Sequence, residues 1–134
     1  MRRFLIVSSI MFAILVVIYG AMSSRLFYVL TRAPDPYPAF MADSQLRDTR
    51  SYQQAARVFS EFVVRTFPIG SNAKDAIVQI TGEGFRVTRS TPDSVELLWN
   101  RSAGPCSEQY LIMIDQNADG VIIKTTGSLH PICL

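Results

Sequence analysis

An uncharged apolar run near the start of the chain limits its fold more than any other feature. Residues 4–22 contain no charged side chain, and their only polar groups are Ser8, Ser9 and Tyr19. As a helix this run is about 28 Å long, close to the roughly 30 Å hydrocarbon core of a bilayer. It therefore predicts an N-terminal transmembrane helix, and we assign residues 1–30 to a membrane anchor.

The same run has a second interpretation, as a signal peptide that is removed after export. Ala21, Met22 and Ser23 together fit a cleavage site. However, the apolar region of a signal peptide has only about 7–15 residues, and here apolar residues resume at 26–30. The anchor is therefore the preferred prediction, and the cleaved signal is its alternative.

The arginines around the run do not fix its orientation. Arg2 and Arg3 lie before it, and Arg25 and Arg32 lie after it, so the positive-inside rule gives a tie. The free N-terminal amine and a later pair of cysteines favour a cytoplasmic N-terminus. We expect a protein of the bacterial inner (plasma) membrane whose C-terminal domain is periplasmic.

The cysteines indicate a disulfide rather than a metal site. Cys106 and Cys133 are the only cysteines, and His130 is the only histidine. Zinc sites need about four such ligands, so we predict no metal, no cofactor and a Cys106–Cys133 bridge formed in an oxidising compartment. The net charge of +2, without a basic stripe, argues against a nucleic-acid partner.

A proline-containing segment separates the apolar run from the rest of the chain. Residues 31–40, TRAPDPYPAF, hold three prolines, each of which biases its neighbour toward extended backbone. We assign 31–50 to a stiff linker. The alternative is that this segment packs as coil on the domain.

Two helices are predicted next. Ser51 and Gln54 form a capping box, and Pro68 ends the helix that follows. A second helix is expected from Ser71 as N-cap to Gly82 as its stop. The apolar stripe of the first helix consists of Tyr52, Ala55, Ala56, Phe59, Phe62, Val63 and Phe67.

Four strand-like runs complete the chain: GFRVTRS, SVELLWN, QYLIMI and VIIKTTG. In the second, Val95, Leu97 and Trp99 alternate on one face, and the stretch 102–108 is predicted to be a loop. The expected fold class is α+β. A transmembrane helix precedes two helices packed on a four-stranded antiparallel sheet (α-α-β-β-β-β), which form a small exported domain of residues 51–134.

The stretch DQNADG, residues 115–120, begins like a calcium-binding EF-hand loop. It lies between strands rather than helices, and Thr126 stands where such a loop has its bidentate glutamate. Asn, Asp and Gly are also favoured in hairpin turns. The stretch therefore predicts a β-hairpin turn.

The run QYLIMI is apolar on both faces, although two helices cover only one face of a sheet. The alternative to a binding surface is a central strand with scattered exposed apolar residues. The residues predicted to bind a partner on the second face are Leu98, Leu111, Met113 and Ile122. Those predicted to pack transmembrane helices are Ser8, Ser9, Gly20 and Ala21.

Catalytic motifs are weak. Ser128, His130 and Asp115 are the types found in nucleophile–base pairs, but no G-x-S-x-G elbow is present and the first two share one terminal segment. We therefore predict no catalytic residues.

The second helix region, FPIGSNAKDAIVQITGEGF, resembles that of small bacterial envelope domains of the SmpA/OmlA (BamE-like) type. Gly70 and Ser71 open the helix and Gly82 lies at its end, as in that family, and the resemblance covers roughly residues 51–127. The family's lipid-attachment cysteine is absent, and an apolar run stands in its place. The resemblance implies a non-catalytic scaffold or assembly role and transfers no ligand residues.

Together these features predict a single-pass membrane protein whose exported domain binds other membrane or periplasmic proteins, as an accessory or assembly subunit of a membrane complex. The alternative is a secreted or periplasmic ligand-binding or inhibitor-like domain, released after signal-peptide cleavage.

Overall fold

The computed structural model describes residues 2–31, 33–42, 44–103 and 106–133. The chain divides into two compact units, Met1–Ala33 and Pro34–Leu134. The first unit contains helix α1, Arg2–Thr31. The second contains the other helices and the sheet.

The prediction of a transmembrane helix is wrong. Among the residues that the structure describes, no helix is long and apolar enough to cross a membrane. Within α1, the Ser23 hydroxyl donates to the Tyr19 carbonyl at 2.7 Å.

The residues predicted to pack transmembrane helices are only partly described. Ser8 and Ser9 lie outside the side chains that the structure describes. Gly20 and Ala21 are exposed, and a Cβ placed on Gly20 meets no heavy atom within 4 Å. No contact made by either residue therefore supports a packing role.

Helix α2, Tyr52–Thr66, begins at the predicted cap. The Ser51 hydroxyl accepts the Gln54 N–H at 3.2 Å. The Gln54 side chain in turn accepts the N–H of Arg50 at 3.2 Å, one residue before the usual position in a capping box. Two donors at the helix start are thereby satisfied.

Helix α3, Ala73–Gly82, begins one residue later than predicted, because its N-cap is Asn72 and not Ser71. The Asn72 side chain accepts the Asp75 N–H at 3.1 Å. The Ser71 hydroxyl instead donates to the Pro68 carbonyl at 2.6 Å. Ser71 is thus committed to the preceding turn.

The sheet is an antiparallel meander in the order β1-β2-β3-β4. This confirms the predicted α-α-β-β-β-β order within the domain. Its strands are β1 (Arg86–Ser90), β2 (Ser94–Ala103), β3 (Cys106–Gln116) and β4 (Ile122–Cys133).

Most of the predicted loop at 102–108 is strand. Ser102 pairs with Ser107, and Ala103 with Cys106, so β2 and β3 stay in register up to their connection. Cys106 also lies opposite Cys133 of β4, and the two form the predicted disulfide. The bridge and the two ladders hold this end of the sheet together.

The stretch 115–120 leads into the β3–β4 hairpin, as predicted. The Asn117 side-chain oxygen accepts the N–H groups of Asp119 and Val121 at 3.0 and 2.9 Å. Gly120 has φ +75°, a backbone conformation that favours glycine. Asn117 therefore stabilises the turn through its side-chain hydrogen bonds, and Gly120 allows the backbone conformation that the turn needs.

The core lies between the two helices and one face of the sheet. Helix α2 approaches the sheet closely at Gly127 of β4, because a Cβ built there meets Val63 at 2.7 Å. The fully buried side chains include Phe59, Val63, Ile80, Leu97, Tyr110, Ile112, Ile114 and Ile122.

The segment assigned to a linker belongs to the domain from Pro34 onward. It forms two short 3₁₀ turns, Ala39–Met41 and Leu46–Asp48. Met41 and Leu46 are only 1 % and 3 % exposed. These two anchors hold the segment against the core.

Candidate functional site

A buried ion pair occupies one end of the inner sheet face. Arg101 of β2 lies opposite Glu108 of β3. The Arg101 Nη1 donates to Glu108 Oε2 at 2.9 Å, and the two side chains are 14 % and 8 % exposed. Tyr110 donates its hydroxyl to the same oxygen at 2.9 Å. These bonds offset the cost of burying a carboxylate.

Arg101 also fixes the segment that begins at Pro34. Its Nε donates to the Asp35 carbonyl at 2.7 Å, and its Nη1 donates to the Tyr37 hydroxyl at 3.0 Å. The guanidinium carbon lies 4.0 Å from the Tyr37 ring centroid, within cation–π range. Tyr37 in turn hydrogen-bonds Tyr110 through the two hydroxyls, 3.2 Å apart.

Together, burial and neighbouring groups raise the pKa values of Tyr110, Tyr52 and Arg101. Burial, followed by the hydrogen bond with Tyr37, raises the pKa of Tyr110 far above its usual value. Burial also raises the pKa of Tyr52, with help from the negative charge of Glu108. Burial acts to lower the pKa of Arg101, but the hydrogen bond with Glu108 and the neighbouring tyrosines raise it overall. Tyr110 therefore stays a neutral hydrogen-bond donor, and Arg101 stays a cation beside Glu108.

A cavity of about 370 Å³ opens beside this cluster, within the usual size range of small-molecule sites. Its floor is formed by the sheet, and its walls come from Tyr37 and from the junction between the second 3₁₀ turn and α2. The residues that line it are Tyr37, Leu46, Arg47, Thr49, Arg50, Ser51, Tyr52, Ala55, Arg101, Glu108 and Tyr110.

The cavity lining is positively charged. It contains three arginines against one glutamate. Arg47 and Arg50 are exposed, and neither makes an ion pair within the described part of the chain. Ser51 and Tyr52 bring the start of α2 to the cavity, and the N-terminal end of a helix carries partial positive charge.

The opposite face of the sheet carries a small apolar patch, which we call the outer patch: Leu98, Leu111 and Met113. All three are half-buried. Leu98 lies directly opposite Leu111, and Met113 lies between Glu96 of β2 and Thr126 of β4. The helices pack on the inner face, since the alternate residues of these strands form the core.

Ile122, the fourth residue predicted for this face, lies in the core instead and is fully buried. The reason is an irregularity in the β3–β4 ladder between Asp115 and Gln116, which pairs Gln116 with Ile122. A bulge of this kind changes which side chains point inward. Simple alternation along the sequence does not reveal it.

The three residues considered as catalytic candidates do not lie together in one site. Ser128 lies opposite Leu111, His130 lies opposite Gln109, and Asp115 is further along β3. Ser128 and Asp115 are separated along the sheet by about four residues, or roughly 13 Å. Among the described residues, no three His, Cys, Asp or Glu side chains come together to hold a metal ion.

Neither the Arg101–Glu108 ion pair nor the cavity was predicted from the sequence, although the positions of both charged residues in their strands indicate the pair. Arg101 continues the inner-face alternation of Leu97 and Trp99, and Glu108 is in phase with buried Tyr110. A charged side chain in phase with a buried face is expected to have a partner.

Comparisons with known protein families, curated proteins and solved structures find no match for this chain. The resemblance to SmpA/OmlA-type envelope domains stays a prediction.

Proposed function

We propose that the domain formed by Pro34–Leu134 is a non-catalytic module that binds another protein outside the cytoplasm. The observation that carries this proposal is the outer patch on the sheet face away from the helices. Its three apolar side chains are contiguous across β2 and β3, with polar groups around them. An apolar centre with a polar rim is the usual anatomy of a protein interface.

The chemistry of the patch fits a protein surface better than a small molecule. Leu98 and Leu111 form an apolar cross-strand pair on the sheet surface, and methionine adapts its shape to a partner. Around it, Glu96 has an exposed hydrogen-bond partner in Thr88, and Asp115 lies opposite Lys124. We expect the partner to present an apolar side chain to this pair and polar groups to the rim.

The disulfide supports the proposed compartment. A bridge between Cys106 and Cys133 persists in oxidising surroundings and is rare in the cytosol. A periplasmic or otherwise extracytoplasmic setting is therefore the proposal that best fits this chain. Two free thiols in protein taken from its native compartment would contradict it.

The binding role is tested with Leu111→Glu and Met113→Lys in the full chain. Both side chains are half-buried on the outer face, so we expect near-parental melting and loss of the partner complex. Ser107→Lys is the matched control, because Ser107 is exposed on the same strand and face. A photo-crosslinker placed at 111, and separately at 107, identifies the contact.

Three results would contradict the proposal. If both variants melt far below the parent, the patch is part of the core. If crosslinks form equally from 107 and 111, or if both variants retain the crosslinked partner, the outer patch is not the contact surface.

A further inference from the structure

We propose that the cavity beside Arg101 is a binding site for a carboxylate-bearing ligand, with the carboxylate held by Arg47 and Arg50 at the rim. This site lies on the inner side of the sheet, away from the outer patch, and does not depend on the protein-binding role. The ligand body would lie against Tyr37 and Tyr52, which line the same space.

The charges around the cavity favour an anion. Glu108 on the floor is already compensated by Arg101 at 2.9 Å. Arg47 and Arg50 therefore supply net positive charge that no ion pair in the described residues offsets. Arginine binds carboxylates through a planar fork of N–H donors, often with two parallel hydrogen bonds.

The local backbone supports a built site. Gln45 has φ 58° and ψ 12°, in the left-handed region that non-glycine residues rarely adopt. This turn directs Leu46 into the core and leaves Arg47 on the cavity wall. Strained backbone of this kind persists where the surroundings fix it, and it concentrates at functional sites.

A carboxylate on an organic body suits the cavity better than inorganic phosphate. The lining of the cavity of about 370 Å³ includes Tyr37 and Tyr52, which an organic body contacts and a bare phosphate does not. The hydroxyl oxygens of Thr49 and Tyr52 line the cavity with the arginines and can accept hydrogen bonds from a polar organic body. Peptide C-termini and sugar acids both carry this chemistry.

Trp99 provides a direct readout. It is the only tryptophan of the chain, and its ring lies 5.3 Å from that of Tyr110 and 6.2 Å from that of Tyr37. Both tyrosines line the cavity. A ligand that enters is expected to change the Trp99 emission.

The experiment titrates the full chain with five probes and follows Trp99 fluorescence. Acetyl-Ala-Ala with a free carboxylate is compared with its C-terminal amide, glucuronate is compared with glucose, and inorganic phosphate is the third arm. We expect one of the two carboxylates to bind saturably, and its uncharged counterpart to bind at least about tenfold more weakly. Saturation by the peptide assigns a chain terminus, and saturation by glucuronate assigns a sugar acid.

Two exposed-residue variants locate the site. Arg47→Ala and Arg50→Ala are each expected to weaken binding by about tenfold without changing the melting temperature. Arg65→Ala is the matched control, because Arg65 is exposed in the last turn of α2 and does not line the cavity. The proposal is overturned if neither carboxylate saturates by about 10 mM, if phosphate binds more tightly than both, or if the Arg47/Arg50 double variant binds like the parent.

Discussion

Packing between α2 and the sheet makes Gly127 sensitive to the addition of a single methyl group. A Cβ placed on Gly127 lies 2.7 Å from Val63 Cγ2, 3.1 Å from Val63 Cβ and 3.2 Å from Phe59 Cε1. The first distance is below any ordinary carbon contact, and both neighbours are fully buried. Gly127→Ala must therefore displace the helix or push the valine out of its preferred rotamer.

The expected cost is that of overpacking, about 1–3 kcal/mol of unfolding free energy. In a domain of roughly 100 residues each kcal/mol lowers the melting temperature by about 4–8 °C. Val63→Ala alone should cost roughly 2–3 kcal/mol through lost burial and a cavity. The double variant Gly127→Ala/Val63→Ala should cost at least about 1 kcal/mol less than the sum, because the two changes occupy and vacate the same space.

Urea unfolding followed by Trp99 fluorescence measures all four corners of this cycle. Gly82→Ala is the matched control, because a Cβ there meets nothing within 4 Å. Gly82 lies at the end of α3, where alanine should stabilise by up to about 1 kcal/mol. An unchanged midpoint for Gly127→Ala, or strictly additive costs, would refute the packing argument.

Three further predictions concern the bridge and the buried cluster. Reducing Cys106–Cys133 should lower the unfolding free energy by about 3 kcal/mol, measured by urea unfolding with and without reductant. Arg101→Ala should lower the unfolding free energy by about 3 kcal/mol, because it leaves Glu108 buried without its cation. The double variant Arg101→Ala/Glu108→Leu should recover part of this loss. Equal unfolding midpoints for the single and double variants would contradict this prediction. The pKa of Tyr110 is raised in the folded chain, so Tyr110 ionises at a lower pH in the unfolded chain than in the folded one. Its contribution to the unfolding free energy is therefore complete below about pH 10 and is lost as the pH rises further. Between about pH 8 and pH 11 the unfolding free energy should therefore decrease more for the parent than for Tyr110→Phe.

The features predicted correctly from sequence are those set by short-range rules. The Ser51 cap and the stripe of α2 follow from spacing within one helix, and the strand order follows from successive alternating runs separated by turn residues. The Cys106–Cys133 bridge follows from having only two cysteines. None of these requires knowledge of which distant segments meet.

The features missed or left open depend on long-range contacts. Prolines between 34 and 38 suit a free linker and a packed coil equally, and only the burial of Met41 and Leu46 distinguishes them. The partnership of Arg101 with Tyr37 joins segments 64 residues apart. The inward position of Ile122 depends on a bulge, and no local pattern marks it.

The bridge between Cys106 and Cys133 also determines how the domain would respond to mechanical force. The cysteines are separated by 27 positions, and the covalent ring they close contains nearly all of β3 and β4. Tension applied between Pro34 and a point beyond Cys133 passes through the S–S bond and bypasses the residues between the two cysteines. Even after complete unfolding, about 90 Å of chain stays unavailable for extension. Stretching therefore separates β1 and β2 from the rest and leaves the β3–β4 hairpin free of load.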